Sequence, residues 1–177
     1  MTHPILYSFR RCPYAMRARL AIASSAIQVE LREIVLRDKA PEFLETSPTA
    51  TVPCLKVKER IVDESLHIMV WALEQNDPEN LMQMPPESYS LLSTCDGAFK
   101  QALDRYKYPN RYPDTDPNKN RDAASDFIRK LEQYLDGNLF GPDPKLVDFA
   151  ILPFIRQFAH VDSDWFSKQP WEKTRIW

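Results

Sequence analysis

A short apolar strand that leads directly into a cysteine and a helix is the feature that most constrains the fold of this chain. Ile5 to Phe9 has the apolar character of a buried strand, and Cys12-Pro13 follows almost at once. Pro13 suits the first turn of a helix, because its missing N–H would have no partner there. A helical spacing of apolar residues continues at Met16, Leu20, Ala23 and Ile27. The sequence therefore predicts a strand, a tight loop and a helix with Cys12 at its N-cap.

The next segments complete an α/β unit. Val29 to Leu36 suits a second strand, and Ala40 to Leu44 suits a short helix. Cys54 to Val57 and Arg60 to Val62 are close enough to form a hairpin, although the turn between them lacks the glycine or asparagine that tight turns prefer. A helix from Ser65 to Leu73 closes this half. The order βαβαββα predicts an N-terminal thioredoxin-like domain of mixed α/β class.

Turn residues separate this unit from a second half that shows no further strand pattern. Asn76 to Asn80 and Pro85-Pro86 both favour turns. Three apolar helix faces follow, at Leu92, Phe99 and Leu103, at Phe127, Leu131 and Leu135, and at Ile151, Ile155 and Phe158. Gly137 is placed to end the second of these helices from the left-handed C′ position. We expect a thioredoxin-like domain at 1–76, a linker at 77–86 and an all-helical C-terminal domain at 87–177.

Composition excludes several classes of function. Lys and Arg total 23 against 25 for Asp and Glu, and the net charge of -2 gives no global field that would gather nucleic acid or an anionic membrane. The three glycines form no phosphate-binding loop, and the cysteines and histidines lack the spacing of a metal site. No apolar run approaches the roughly 20 residues that span a bilayer, and no secretory signal precedes Ile5. We therefore expect a cytoplasmic protein without a metal, a nucleic acid partner or a membrane partner.

Cys12 is the candidate nucleophile. The unpaired N–H groups and the dipole at a helix start favour a thiolate at Cys12, and Arg10 and Arg11 add positive charge nearby. A thiolate is the form that attacks disulfides or electrophilic carbon. Ala15 occupies the position where a C-x-x-C motif holds its second cysteine, so no local disulfide can form. The alternative is that Cys12 is a buried cap residue that acts as a small apolar side chain.

Three motifs together resemble the glutathione S-transferase superfamily, near its omega class and the two-domain glutaredoxins. They are Cys12-Pro13-Tyr14-Ala15-Met16-Arg17-Ala18-Arg19, Thr51-Val52-Pro53 and Asp63-Glu64-Ser65, in the family's order and spacing. The resemblance implies the two-domain architecture of that family, with glutathione as cosubstrate. It gives Cys12 a monothiol mechanism, in which a mixed disulfide with glutathione is resolved by a second glutathione. It also implies a homodimer, although two-domain glutaredoxins can be monomers.

The resemblance implies a set of glutathione-binding residues as well. It implies a cis Val52-Pro53 peptide, whose valine backbone pairs with the cysteinyl part of glutathione as an added strand would. It assigns Glu64 and Ser65, at the start of a helix, to the γ-glutamyl carboxylate, and Lys39 to the glycyl end. Taken singly, Val52-Pro53 could be an ordinary edge-strand proline and Glu64-Ser65 a plain helix cap.

Aromatic residues provide an alternative nucleophile activator and a possible acceptor site. Tyr7 is an alternative to Cys12, because the activating hydroxyl of tyrosine-type transferases comes from the end of the first strand. An acceptor cleft between the domains could be lined by Tyr14, Tyr106, Tyr108 and Trp165. Aromatic residues on helices more often belong to the core, which is the alternative for these four.

The remaining reactive side chains have structural interpretations. Cys54 falls on a core strand and Cys95 on an apolar helix face, so we expect both to be packing residues. We expect His67 to face solvent or an interface. Asp148 resembles the family's helix-capping aspartate, with Lys145 in the position of the usual serine or threonine, so we expect a structural Asp148 and a weakened helix start.

The leading functional hypothesis is a glutathione-dependent thiol transferase, a glutathione S-transferase of the omega-like type. In it Cys12 forms a mixed disulfide with glutathione, and the substrate is an unidentified small-molecule or protein disulfide. One alternative is conjugation of glutathione to electrophiles while Cys12 stays unmodified. Another is a noncatalytic binding or regulatory module of the same fold. Cys12 disfavours the first alternative. The second is disfavoured by the retained set of glutathione-binding residues, which comprises Lys39, Val52, Pro53, Glu64 and Ser65.

Overall fold

Strand β1 organises the first half of the chain in the computed structural model, which describes residues 3–177. The strands are β1 (Ile5–Ser8), β2 (Glu30–Glu33), β3 (Cys54–Val57) and β4 (Arg60–Val62), and the helices are α1 (Pro13–Ser24), α2 (Pro41–Thr46) and α3 (Ser65–Gln75). β1 pairs in parallel with β2 and antiparallel with β3, which pairs antiparallel with β4. The sheet order β2-β1-β3-β4 and the element order βαβαββα confirm the predicted thioredoxin-like fold.

The two faces of this sheet carry separate cores, because successive strand residues point to opposite sides. On one face Leu6 packs with Ala18 of α1 and Ile68 of α3. On the other face Tyr7 packs on Phe43 of α2, with ring centres 5.2 Å apart. The sheet is therefore covered by helices on both sides, and its β1 to α1 junction is held in place from both.

The prediction of which residues form the buried face of α1 was wrong. Ala15, Ala18 and Ala21 are fully buried, whereas Leu20 is 38% exposed and Ala23 is exposed. Alanine carries no atoms beyond Cβ, so a face of alanines lets a helix approach its neighbours closely. Leu20 and Ala23, two of the residues that the helical spacing selected, therefore lie on the outer side of the helix.

Strand β2 is shorter than the predicted Val29 to Leu36. It spans Glu30–Glu33, and Leu31 and Val35 are 54% and 64% exposed. β2 lies at the edge of the sheet, where it pairs only with β1. An edge strand has one open side, so part of its apolar content stays in solvent.

The β3–β4 hairpin closes without glycine or asparagine. Val57 pairs with Arg60 across a two-residue turn, and Lys58 adopts a φ of 55°. This left-handed conformation is uncommon for residues with a Cβ atom. The predicted hairpin is therefore confirmed, with Lys58 in the position that glycine or asparagine usually takes.

The second half of the chain is mainly helical, as predicted. Its helices are α4 (Glu87–Thr94), α5 (Lys100–Lys107), α6 (Pro117–Glu132), α7 (Leu146–Ala159), α8 (Ser163–Ser167) and α9 (Glu172–Ile176). A π-helical turn, Cys95–Phe99, joins α4 to α5 in one continuous segment. Phe158 lies in its core, with the ring centres of Phe99 and Phe166 at 6.0 and 6.1 Å.

Two short strands in this half correct the prediction that it has none. β5 (Leu135–Asp136) pairs antiparallel with β6 (Asn138–Leu139), and Gly137 forms the turn with a φ of 82°. Gly137 therefore has the expected left-handed conformation but does not end a helix, since α6 already stops at Glu132. Strands of two residues are too short to produce a recognisable alternation.

Asp148 has the structural role that the sequence predicts. It is 2% exposed, and it accepts hydrogen bonds from the backbone N–H groups of Leu139 (2.7 Å) and Lys145 (2.8 Å) and from the indole N–H of Trp177 (3.0 Å). Burial raises the pKa of the Asp148 carboxyl, although the hydrogen bonds from Leu139 and Lys145 lower it. Asp148 thus stabilises the start of α7 and its junction with β6 without a serine or threonine at position 145.

The chain divides into two compact units between Met82 and Gln83. The division falls within the segment 77–86. Just before it, the Asp77 carboxylate accepts backbone N–H hydrogen bonds from Leu81 (2.8 Å) and Met82 (3.0 Å). Within residues 3–177, no helix combines the length and the apolar character needed to cross a membrane.

The α2 face of the sheet provides a matched test of the fold. Phe43→Ala removes a fully buried ring and should lower the free energy of unfolding by about 3–5 kcal/mol. Leu44→Ala, on the same helix but 48% exposed, should change it by about 0.5 kcal/mol or less. Chemical denaturation measures both values. Equal losses in the two variants would show that α2 does not cover the sheet in this register.

Candidate active site

Cys12 lies at the N-cap of α1, as predicted. Its backbone is extended, its N–H donates to the carbonyl of Phe9 (3.0 Å), and its carbonyl accepts from the N–H of Met16 (2.9 Å). Pro13 takes the first helical position. The side chain is half-buried, and its thiol donates to the carbonyl of Val52 at 3.6 Å. Cys12 is therefore neither a core residue nor freely exposed: its sulfur lies beside the backbone that leads into β3.

Val52 and Pro53 lie immediately before β3, which pairs with β1. The Val52–Pro53 peptide is cis, as the resemblance implies. The end of β1 and the start of β3 lie at the same edge of the sheet because the two strands are antiparallel, with Tyr7 opposite Cys54. This pairing brings the loop that carries Cys12 to the segment that carries Val52.

Lys39 reaches the same region from the loop before α2. Its ammonium group donates to the carbonyl of Ala50 at 2.9 Å. Ala50 has a φ of 52°, and it belongs to the segment that leads to Val52. Lys39 thus brings a positive charge to the site and connects two of its loops, while its predicted contact with the glycyl end of glutathione stays a prediction.

Glu64 and Ser65 lie at the start of α3. Glu64 is exposed and extended at the N-cap, and Ser65 is the first helical residue, only 2% exposed. The Ser65 hydroxyl accepts a hydrogen bond from Nε of Arg17 at 2.9 Å. The side chain of Arg17 on α1 therefore fixes the position of the Ser65 hydroxyl. The first backbone N–H groups of α3 lie beside Ser65.

Two arginines of α1 support the site, and the sequence interpretation gave neither a role. Arg17 is 2% exposed and lies over the ring of Tyr14, with 5.0 Å from its guanidinium carbon to the ring centre. Arg19 donates to Ser8 Oγ (2.5 Å) and to the carbonyl of Arg10 (3.2 Å), so it braces the loop before Cys12. A usable signal was present, since Arg17 comes three residues after Tyr14 and thus shares its side of the helix.

One cavity of about 490 Å³ collects these residues. It is lined by Phe9, Cys12, Tyr14, Leu36, Lys39, Ala50, Thr51, Val52, Pro53, Asp63, Glu64 and Ser65. All six residues predicted for the thiol chemistry and for glutathione are in this lining. The lining of the cavity contains a thiol, an ammonium and carboxylates, which suits a short peptide with charged ends and a sulfur.

Tyr7 does not lie in this cavity. Its hydroxyl donates to a carboxylate oxygen of Glu42 (3.1 Å) and lies 3.3 Å from the guanidinium of Arg32, on the α2 side of the sheet. Arg32 also forms ion pairs with Glu30 and Glu42. These contacts lower the pKa of Glu42, chiefly through the hydrogen bond from Arg32. Tyr7 is thus part of a structural network, and the structure does not support it as an alternative to Cys12.

The other cysteines and His67 have the predicted surroundings. Cys54 and Cys95 are fully buried, and burial raises the pKa of the Cys54 thiol. Cys54 packs with Tyr7 on the α2 face of the sheet. His67 is exposed on α3. Cys12 is therefore the one cysteine within residues 3–177 that has an accessible sulfur.

The predicted acceptor residues divide between the two units. Tyr14 lines the cavity of the first unit. In the second unit Tyr106 and Trp165 pack against Phe158, with ring centres at 5.7 and 6.0 Å, in the manner of core aromatics. Tyr108 lies beside the cation of Arg111, 4.5 Å from its ring centre. Their part in an acceptor site stays a prediction.

Comparisons with known proteins show similarity to glutathione S-transferases. The family model described as "Glutathione S-transferase, N-terminal domain" matches residues 6–81. Glutathione S-transferase omega-1 of Mus musculus is 26% identical over 172 residues, which cover 89% of this chain and 68% of the mouse protein. Glutathione S-transferase DHAR2 of Arabidopsis thaliana is 33% identical over 88 residues, 50% of this chain and 41% of that protein.

A solved structure supports the fold across both units. A glutathione transferase family member from Pseudomonas fluorescens, crystallised with two glutathione bound, superposes with a TM-score of 0.81 over 98% of this chain and 86% of that one. The sequence identity is 16%, so this likeness supports the fold alone.

Alkylation of the native protein tests the assigned accessibility of the cysteines. Iodoacetamide at neutral pH should modify Cys12 and leave Cys54 and Cys95 unmodified, because both are fully buried and the raised pKa of Cys54 makes its thiolate scarce. Peptide mass spectrometry locates the label. Unfolding in urea should expose all three cysteines, and Cys12→Ser should abolish labelling of the native protein. Labelling of native Cys54 as fast as Cys12 would contradict the assigned site.

Proposed function

We propose that the chain belongs to the glutathione S-transferase superfamily, that its N-terminal cavity binds glutathione and that Cys12 acts in omega-like thiol transfer. The observation that carries the proposal is the position of Cys12. Its half-buried thiol lies at the start of α1 and 3.6 Å from the carbonyl of Val52, in a cavity that also contains Lys39 and Ser65. A helix start favours the thiolate that such chemistry requires.

Glutathione fits the cavity with each of its parts next to a matching group. Its cysteinyl backbone can pair with Val52, which leads into β3 and lies beside Cys12. The γ-glutamyl end carries a carboxylate and an ammonium, which suit Ser65 at the helix start and the carboxylates of Asp63 and Glu64. The glycyl carboxylate suits the ammonium of Lys39. With this orientation the sulfur of glutathione lies near the sulfur of Cys12.

The proposed reaction consists of two thiol–disulfide exchanges. The Cys12 thiolate attacks the glutathione sulfur of a mixed disulfide, forms a Cys12–glutathione disulfide, and releases the substrate as a thiolate that takes up a proton. A second glutathione thiolate then attacks the bound glutathione sulfur. This step releases oxidised glutathione and restores the Cys12 thiolate. Ala15 stands where a resolving cysteine would be, so the second step depends on free glutathione.

The acceptor substrate, the quaternary structure and the location belong to the same proposal. The substrate is a small-molecule or protein disulfide that carries glutathione. A homodimer follows from the family resemblance, and light scattering distinguishes it from a monomer of 20.7 kDa. We propose the cytoplasm as the location because an unpaired reactive thiol persists in a reducing compartment. Fractionation of cells that produce the tagged protein tests that location.

Mass spectrometry after exposure to oxidised glutathione tests the function. The wild-type protein should gain one glutathione on Cys12, whereas Cys12→Ala should gain none and lose thiol-transferase activity. Cys54→Ala is the matched control, since Cys54 is fully buried, and it should retain both uptake and activity. Conjugation of glutathione to an electrophile that survives Cys12→Ala, without any adduct in the wild type, would favour the conjugating alternative. Absence of both an adduct and retention on immobilised glutathione would favour a noncatalytic module.

A further inference from the structure

Arg17 is unusual among the cationic residues of this protein. Within residues 3–177 it is the only lysine or arginine that is buried, with 2% of its surface exposed. A buried guanidinium is costly unless its hydrogen bonds and charge are satisfied, so a fold without a use for it gains by an apolar residue there. The buried face of α1 is otherwise formed largely by alanines, including Ala15, Ala18 and Ala21. The position of Arg17 therefore requires an explanation beyond packing.

The hydrogen bond from Arg17 to Ser65 has a defined direction. Nε of Arg17 donates to Ser65 Oγ at 2.9 Å, because a guanidinium has donors only. A serine hydroxyl has one donor and two acceptor lone pairs, so this bond uses a lone pair and leaves the hydroxyl proton for another acceptor. A hydroxyl that accepts a charged hydrogen bond also becomes a stronger donor. Arg17 therefore prepares Ser65 to donate.

The surroundings of Ser65 in the cavity indicate which kind of ligand group can accept its hydroxyl proton. Ser65 is in the cavity lining and is the first residue of α3, an eleven-residue helix, whose first backbone N–H groups have no partner within the helix. The guanidinium of Arg17 contacts this hydroxyl and does not itself line the cavity. A hydroxyl proton and the N–H groups of a helix start together suit a carboxylate.

We propose that Arg17 is a positioning residue for glutathione, which holds the Ser65 hydroxyl so that it donates to the α-carboxylate of the γ-glutamyl end. The inference rests on the proposed function, since it takes glutathione as the ligand. Tyr14 contributes by supporting the guanidinium plane, whose central carbon lies 5.0 Å from its ring centre. Arg17 itself does not line the cavity, so it acts through Ser65 rather than on the ligand.

Calorimetry with S-methylglutathione, which cannot form a disulfide, measures this role apart from the chemistry of Cys12. Arg17→Met should weaken binding by about 10-fold to 100-fold, the range for the loss of a hydrogen bond to a charged group. Arg60→Met is the matched control, since Arg60 is exposed on β4 outside the cavity, and it should leave binding unchanged. Arg17→Lys retains the charge without the fixed donor geometry and should bind more weakly than wild type.

Two comparisons separate positioning of the carboxylate from a general structural role. The first uses the S-methyl form of 4-aminobutyryl-cysteinylglycine, which is glutathione without its α-carboxylate: Arg17→Met should bind it about as well as wild type does. The second uses Ser65→Ala, in which Arg17→Met should produce little further loss, because the two residues act as one unit. Equal losses for both ligands, or losses that add fully in the double variant, would overturn the proposal.

The outcomes also distinguish this inference from the proposed function. Wild-type protein that fails to bind S-methylglutathione would contradict the function and the inference together. Wild-type binding with unchanged affinity in Arg17→Met would contradict the inference alone. Circular dichroism and thermal unfolding establish that each variant is folded. If Arg17→Met does not fold, the affinities of Arg17→Lys and Ser65→Ala for the same two ligands test the inference instead. An equal loss of affinity for both ligands would again overturn the inference.

Discussion

The close packing of α1 against the sheet is the constraint on which the site depends. Ala15, Ala18 and Ala21 are fully buried, and Ala18 lies in one core with Leu6 of β1 and Ile68 of α3. A helix with larger residues on this side would lie farther from the strands. Because α1 begins only a few residues after β1 ends, its first turn cannot move independently of the sheet. The position of Cys12 beside the segment before β3 is a consequence of that packing.

The cations of the first unit then shape the cavity. Arg19 holds the loop before Cys12 through a hydroxyl and backbone carbonyls, and Lys39 holds the opposite loop through the carbonyl of Ala50. Hydrogen bonds to such uncharged oxygens fix the loops but do not neutralise the two positive charges. Arg17 supplies a third charge beneath Ser65. The proposed ligand, glutathione, carries two carboxylates, which suit cationic groups at this site.

The sequence was sufficient for the elements whose cause is local. A strand followed by Cys12-Pro13 determines the start of a helix through the properties of proline, and the structure has Cys12 at the N-cap. The position of Val52 and Ser65 in one cavity with Cys12 depends on long-range strand pairing, so the residues alone did not indicate it. It was expected only because the order and spacing of the motifs resemble a family.

Other features could not be predicted because their cause is not local. The buried face of α1 contains Ala15, Ala18 and Ala21, which carry a weaker apolar signal than Leu20 on the exposed side. Arg17 has the residue type of a surface position, and its hydrogen-bond partner Ser65 lies 48 residues away in the sequence. Strands β5 and β6 have two residues each, and their formation depends on the turn at Gly137 rather than on any alternation.

The central claim is that Cys12 is a monothiol whose glutathione adduct needs an external thiol for its release. The most direct measurement follows the intact mass of the Cys12–glutathione adduct after all small thiols have been removed. The adduct should persist in that state and clear after glutathione is added, at a rate proportional to the glutathione concentration and with release of oxidised glutathione. Spontaneous loss of glutathione, with a disulfide between Cys12 and Cys54 or Cys95, would contradict the claim.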